Sequence, residues 1–168
     1  ERTEHEAVNE LLTLDSYIDL VIPRGGEALI RKVAELSTIP VIKHYKGVCH
    51  VYVDRRADLA MAERIVLNAK VQKPAVCNAA EALLVHEEVA PAFLPRAAKA
   101  LAKRGVELRG DAASRALVPS MRAASDADWG CEFLDLVLAV RVVKAIDEAM
   151  AHIARHGSLH TEAIVTND

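Results

Sequence analysis

Cys77 is the residue of this 168-residue chain whose type and setting allow covalent chemistry. It lies in Lys73-Pro74-Ala75-Val76-Cys77-Asn78, a loop between an amphipathic helix ended by Pro74 and a short apolar run. A thiolate exposed on such a turn can attack a substrate carbon, and nearby peptide N–H groups can hold the oxyanion that forms. The acyl adduct of a thiol also accepts hydride better than a serine ester does. The competing reading is a buried cysteine acting as a small hydrophobe, and spacing alone leaves both open.

Three further groups have chemical potential. Arg24-Gly25-Gly26 follows an apolar run and opens a helix, so it offers free N–H groups and a positive helix end to a phosphate, or is only a tight turn that needs glycine. Glu132, in Glu132-Phe133-Leu134, precedes a buried strand, where a carboxylate can accept from ribose hydroxyls or simply stay solvated. Lys43-His44-Tyr45 and Cys49-His50 could shuttle a proton or meet a carboxylate or phosphate, or form a polar strand rim. Seven histidines and three cysteines make no zinc-binding spacing, and Cys49 and His50 as strand neighbours point to opposite faces.

These residues need a scaffold, and the composition says which kind. With 52% apolar residues, 4% aromatics and 29 alanines, the core must come from Ala, Leu, Val and Ile on interlocking helices and strands. Helical spacing is read over Glu6–Leu14, Glu27–Leu36, Ala57–Val71, Pro91–Lys103 and Ala145–His156, the last with Ile146, Ala149, Met150 and Ile153 on its apolar face. Strands are read at Ile18–Ile22, Val48–Val53, Ala82–Val85, Val106–Leu108, Leu136–Val143 and Ala163–Val165, with Leu117–Asp128 irregular. The alternation predicts a three-layer α/β/α sandwich on a mostly parallel sheet. A boundary near residue 42 divides a first part, 1–42, from a second, 43–168.

Other classes are excluded. A net charge of −3 with scattered Lys and Arg gives no nucleic-acid footprint. Apolar runs such as Leu136–Val140 fall far short of the roughly 20 residues that span a bilayer. Cys49, Cys77 and Cys131 form no C-x-x-C pair and suit a reducing compartment, hence the cytoplasm. The start carries neither an initiating Met nor a secretory pattern, so an excised piece of a longer chain is expected.

Five ordered words carry a resemblance: Ile22-Pro23-Arg24-Gly25-Gly26, Pro40 through Asp54, Asn68-Ala69-Lys70, Pro74 through Glu81, and Glu132-Phe133-Leu134. Together they resemble the gamma-glutamyl phosphate reductase family of the aldehyde dehydrogenase superfamily, along Ala7 to Asp168. The resemblance implies the superfamily's catalytic fold, with 1–42 a remnant of the NADP-binding domain and 43–168 the catalytic domain. It implies Cys77 as nucleophile with Asn78 beside it, Glu132 and Phe133 at the nicotinamide ribose, and Arg24, Gly25 and Gly26 beside NADP(H); Lys43 and His44 are substrate-binding candidates on their residue chemistry alone, with no definite role assigned to His44. The implied reaction reduces L-glutamate 5-phosphate with NADPH to the 5-semialdehyde and phosphate in proline biosynthesis, by a homo-oligomer. Hydrolytic relatives carry a glutamate base where this chain reads Lys43-His44-Tyr45-Lys46-Gly47. An enzyme that exchanges phosphate must keep water from its thioester. The resemblance also implies that most of the nucleotide-binding domain, an oxyanion-hole amide and a dimerisation arm lie outside this stretch, which alone should be inactive. Two alternatives stand beside it: another acylating or phosphate-dependent aldehyde dehydrogenase, and a non-enzymatic ligand-binding module with Cys77 buried.

Overall fold

The structure, a computed structural model, describes residues 5–168; Glu1-Arg2-Thr3-Glu4, on which the expectation about the chain's start rests, lies outside the described residues. The chain divides into two compact units, Glu1–Lys46 and Gly47–Asp168.

In the first unit the helical spacings become α1 (His5–Leu11) and α2 (Glu27–Leu36), the latter at the bounds its periodicity predicts. Ile30 and Val33 are buried on α2, as are Leu12 before it and Ile39 after it. The strand expected at Ile18–Ile22 does not form. Val21 makes one parallel bridge to Val41, between prolines 23 and 40 that have no N–H to extend a ladder. Leu20 and Ile22 stay exposed.

The second unit is built on one six-stranded sheet. Its strands are β1 (Cys49–Val53), β2 (Ala80–His86), β3 (Glu107–Gly110), β4 (Arg122–Ala123), β5 (Val137–Val143) and β6 (Glu162–Val165). They lie in the order β4-β3-β5-β2-β1-β6 with every pairing parallel. Parallel neighbours need crossover connections, and the helices supply them: α3 (Leu59–Val71), α4 (Ala90–Ala102), α5 (Ala112–Leu117) and α6 (Ile146–His156). On one face Val51, Val53, Leu83, Val85, Leu138 and Val140 pack with Ala62 and Val66 of α3 and Phe93, Leu94 and Leu101 of α4. On the other, Tyr52, Leu84 and Val143 pack against Ala149 of α6. Helices on both faces of a parallel sheet make the α/β sandwich that the sequence predicts.

Local chemistry sets the ends. Asp58 caps α3 by accepting from the N–H groups of Ala60 and Met61 at 2.9 and 3.0 Å. Gly105, at φ +79°, turns the chain out of α4. The Leu117–Asp128 segment is more ordered than its sequence suggests. It holds the end of α5, which Asp111 caps, the two-residue β4, and a 3-10 turn at Asp126–Asp128. Elements this short span too few side chains for a period to show.

The ladder between β1 and β2 slips by one residue. Its register pairs Cys49 with Ala80 and His50 with Ala82, so Glu81 is an extra residue in β2. Ala80 and Glu81 therefore both turn toward the α3 side, Ala80 into the main core and Glu81 onto Lys70 of α3.

The buried face of α6 also differs from the predicted stripe. Ala149 and His152 are buried, while Ile146 and Met150 are 45% and 60% exposed. His152 enters a ring cluster, 5.5 Å from both His50 and Trp129 and 4.7 Å from His156 between centroids. Arg141 of β5 points Nη1 at its Nδ1 at 3.3 Å. Burial, with His50, His156 and Arg141 close by, pushes the His152 imidazole down to about 3 from 6.5, against a weaker opposite pull from Glu148. The unfolded chain thus takes up this proton near pH 6.5 and the folded chain only near pH 3. Stability should fall as pH drops through that window, by up to about 1.4 kcal/mol per pH unit for this one proton. Urea unfolding at about pH 7 and pH 5 should show the loss, and His152→Gln should flatten the slope; a slope unchanged in the variant would remove His152 as its cause.

Candidate active site

Four neighbouring strands, β5, β2, β1 and β6, begin at the same edge of the sheet, and the segments leading into them hold the residues of interest. The lead-in to β2 is the Cys77 turn. Past α3 the chain turns through a Val76 N–H to Lys73 O bond of 3.3 Å and an Ala79 N–H to Val76 O bond of 3.0 Å. Cys77 and Asn78 are exposed at its tip, which sets aside the reading of Cys77 as a buried hydrophobe. Among the described residues no carbonyl accepts from the N–H of Cys77 or of Asn78, so the turn leaves two donors beside the thiol.

The turn is held from beneath. A Cβ on Gly47, in the lead-in to β1, would sit 2.0 Å from the Cys77 carbonyl oxygen and 3.0 Å from its Cα, so only glycine permits this approach. Cys49 donates its thiol to the same carbonyl at 3.3 Å. Burial pushes the Cys49 thiol up to about 11, so it remains a protonated donor.

The lead-in to β5 brings Glu132, Phe133 and Leu134 to this edge, and each residue is tied to a different strand region. Glu132 Oε1 accepts the Gly47 N–H at 2.8 Å. The Phe133 ring lies 5.2 Å from the Arg109 guanidinium of β3, which Asp128 and Glu107 pair at 2.6 and 2.8 Å. Leu134, at φ +55°, donates its N–H to Glu81 Oε1 at 3.2 Å. Glu81 Oε2 in turn holds Lys70 Nζ at 2.6 Å, with both side chains at most 1% exposed. Burial pushes the Glu81 carboxyl above its ordinary value, while Lys70 and the N–H groups of Leu134 and Phe133 pull it back.

The structure therefore joins Cys77 to Glu132 through Gly47. The other predicted residues belong to the first unit. Gly25 has φ +152°, and a Cβ there would meet Leu29 Cδ2 at 2.8 Å, so the turn's own geometry explains that glycine. Gly26 is the N-cap of α2 and is followed by Glu27, whose carboxylate Arg31 and Lys46 hold at 2.6 and 3.6 Å. An acidic first turn is a poor host for phosphate, so the cofactor reading rests more on Glu132 than on Arg24-Gly25-Gly26. Lys43 lies 5.7 Å from the Tyr45 ring centroid, and His44 stands between them in sequence.

Sequence reasoning assigned no part to Gly47, Lys70, Glu81 or Arg109, and it placed Cys49 in a polar cluster with His50 rather than under the Cys77 turn. Lys70 had a visible signal: Ala62, Val66 and Lys70 recur every four residues and are the buried residues of α3.

The Aldehyde dehydrogenase family matches residues 2–125, and the chain belongs to that family. It is similar to the gamma-glutamyl phosphate reductase of Geobacter metallireducens, at 61% identity over 165 residues, which are 98% of this chain and 40% of that protein. To the same reductase of Xanthomonas axonopodis pv. citri it is 58% identical over 168 residues, 100% of this chain and 41% of that one. The crystal structure of gamma-glutamyl phosphate reductase from Thermotoga maritima superposes at a TM-score of 0.94 with 46% identity, covering 100% of this chain and 41% of that one. The chain thus spans about 40% of the length of the curated relatives it matches.

Gly47→Ala should destabilise the second unit by about 1–3 kcal/mol, because the collision is with backbone that cannot rotate away. Gly130→Ala, whose Cβ would meet only His156 O at 3.6 Å, should stay within about 0.5 kcal/mol of the parent. Urea unfolding measures both, and equal effects would refute the claim that Gly47 is required by the Cys77 approach.

Proposed function

We propose that this chain is the catalytic part of an enzyme that reduces L-glutamate 5-phosphate to L-glutamate 5-semialdehyde and phosphate with NADPH. The reaction serves proline biosynthesis in the cytoplasm, and the full-length protein works as a homo-oligomer. The observation that carries the reading is an exposed Cys77 on a turn with two unused N–H donors, in a chain 61% identical to a gamma-glutamyl phosphate reductase.

Cys77 attacks the acyl carbon of the substrate as its thiolate. The C–S bond forms, the bond from that carbon to the phosphate oxygen breaks, and phosphate leaves with the electron pair. The N–H groups of Cys77 and Asn78 are placed to hold the acyl oxygen as charge gathers on it. The residues present suit a nicotinamide cofactor, because Glu132 has one carboxylate oxygen fixed by Gly47 and the other left to accept from a ribose diol. When bound, that cofactor supplies the hydride that converts the thioester to the aldehyde. Cys77 then leaves as thiolate, regenerating the nucleophile. Cys49 takes no part as a second nucleophile, since burial keeps its thiol protonated. The Lys43–Gly47 stretch supplies no carboxylate to activate water against the thioester.

In the full-length protein Cys77→Ser and Cys77→Ala should each lower turnover by at least about a thousandfold. The assay is phosphate-dependent NADP reduction with glutamate 5-semialdehyde, and melting temperature reports folding. Undiminished turnover in a folded Cys77→Ala protein would overturn the proposal.

A further inference from the structure

The Lys70–Glu81 pair is fully buried, and stability alone does not explain it. A buried ion pair forfeits the hydration of both ions, and well-packed apolar residues of like volume generally serve as well or better. The pair also coincides with the register slip at which Glu81 is an extra residue in β2, facing Lys70 in phase with Leu83 and Val85. Such irregularities re-aim side chains and are common beside active sites.

What the pair supplies is an acceptor in a fixed place. Lys70 anchors one Glu81 oxygen to α3 at 2.6 Å, and the other oxygen takes the Leu134 N–H at 3.2 Å. Leu134 holds φ +55°, a conformation that residues with a Cβ seldom adopt without outside support. Two residues upstream, Glu132 Oε1 accepts from Gly47 at 2.8 Å, and the Phe133 side chain between them packs 5.2 Å from Arg109. The Glu81 contact is the tether that acts on the loop's backbone through a side chain shielded from water.

We propose that Glu81, neutralised by Lys70, is a positioning residue for Glu132. By gripping Leu134 N–H it sets the loop so that the remaining oxygen of Glu132 faces the ribose of a nicotinamide cofactor. The inference rests on the ribose role proposed for Glu132, and the two can fail separately.

The test uses the full-length protein and two double variants, K70M/E81M, which fills the space without an acceptor for Leu134, and K70M/E81Q, which restores a neutral acceptor. Thermal melts report folding, NADPH fluorescence titration gives Kd, and steady-state kinetics gives KM for glutamate 5-semialdehyde. K70M/E81M should fold and weaken NADPH binding at least tenfold with the semialdehyde KM within twofold, and K70M/E81Q should recover Kd to within about threefold of the parent. In an E132Q background, K70M/E81M should add little further loss, because it acts through Glu132.

The proposal is overturned if folded K70M/E81M binds NADPH like the parent, if K70M/E81Q is no better than K70M/E81M, or if neither variant folds, which would make the pair structural only. E132Q alone tests the ribose role. If it binds NADPH normally that role is wrong, and with it the positioning proposal; if it weakens binding while K70M/E81M does not, only the positioning proposal falls.

Discussion

A carboxylate in the core between α3 and β2 sets the geometry of the candidate site. Glu81 stands at the point where β2 carries one residue too many, so Ala80 shares its side, and in phase with Leu83 and Val85 the acid enters an apolar layer. Neutral surroundings would force the acid to protonate or move. Lys70, the last member of the buried stripe of α3, prevents this with an ammonium 2.6 Å away. The carboxylate can then grip Leu134, and Leu134 leads back to Glu132, Gly47 and the Cys77 turn. Remove the charge pair and a loop with a left-handed leucine has lost the partner for its N–H.

The placement of the site departs from the usual rule for open α/β sheets, in which ligands lie outside the carboxyl ends of the strands. At that edge the second unit does hold a cavity of about 430 Å³, lined by Asp54, His86, Lys144 and Thr166 among others. Cys77, Gly47 and Glu132 all precede their strands and so gather at the opposite edge. The lead-in segments there are short and irregular, and they cross at distances that only glycine allows. Rigid strands below and close backbone approach above fix a thiol on a turn without burying it.

Periodicity made much of this legible. Glu27–Leu36, the strands around Tyr52 and Leu138, and the helix after Pro91 follow from side-chain spacing alone. It failed where tertiary partners decide. Ile18–Ile22 reads as a strand because it is apolar, but a strand also needs an N–H ladder, and Val21 has only one bridge. On α6 the apolar spacing picks Met150, whereas His50 of the sheet and Trp129, in the turn after the 3-10 segment, draw in His152. The word Cys77-Asn78 and the acid Glu132 stand out by residue type. Glu81 did not, because a charge inside an apolar run reads as a solvent-facing position, and its partner lies 11 residues away on another element.

One thiol braces the backbone of the residue that carries another, and their surroundings give them different work. Cys49 is buried and held near a pKa of about 11, so the hydrogen it keeps is what it offers to Cys77 O. Cys77 is exposed at the tip of the turn. A serine hydroxyl at position 49 could make the same bond more strongly, but a buried hydroxyl is costlier to desolvate than a thiol if the bond loosens. The thiol suits a donor that must stay in an apolar layer and brace a turn without adding charge beside the proposed nucleophile. On this view the first sulfur belongs to the scaffold and the second to the chemistry, and burial alone separates the two roles.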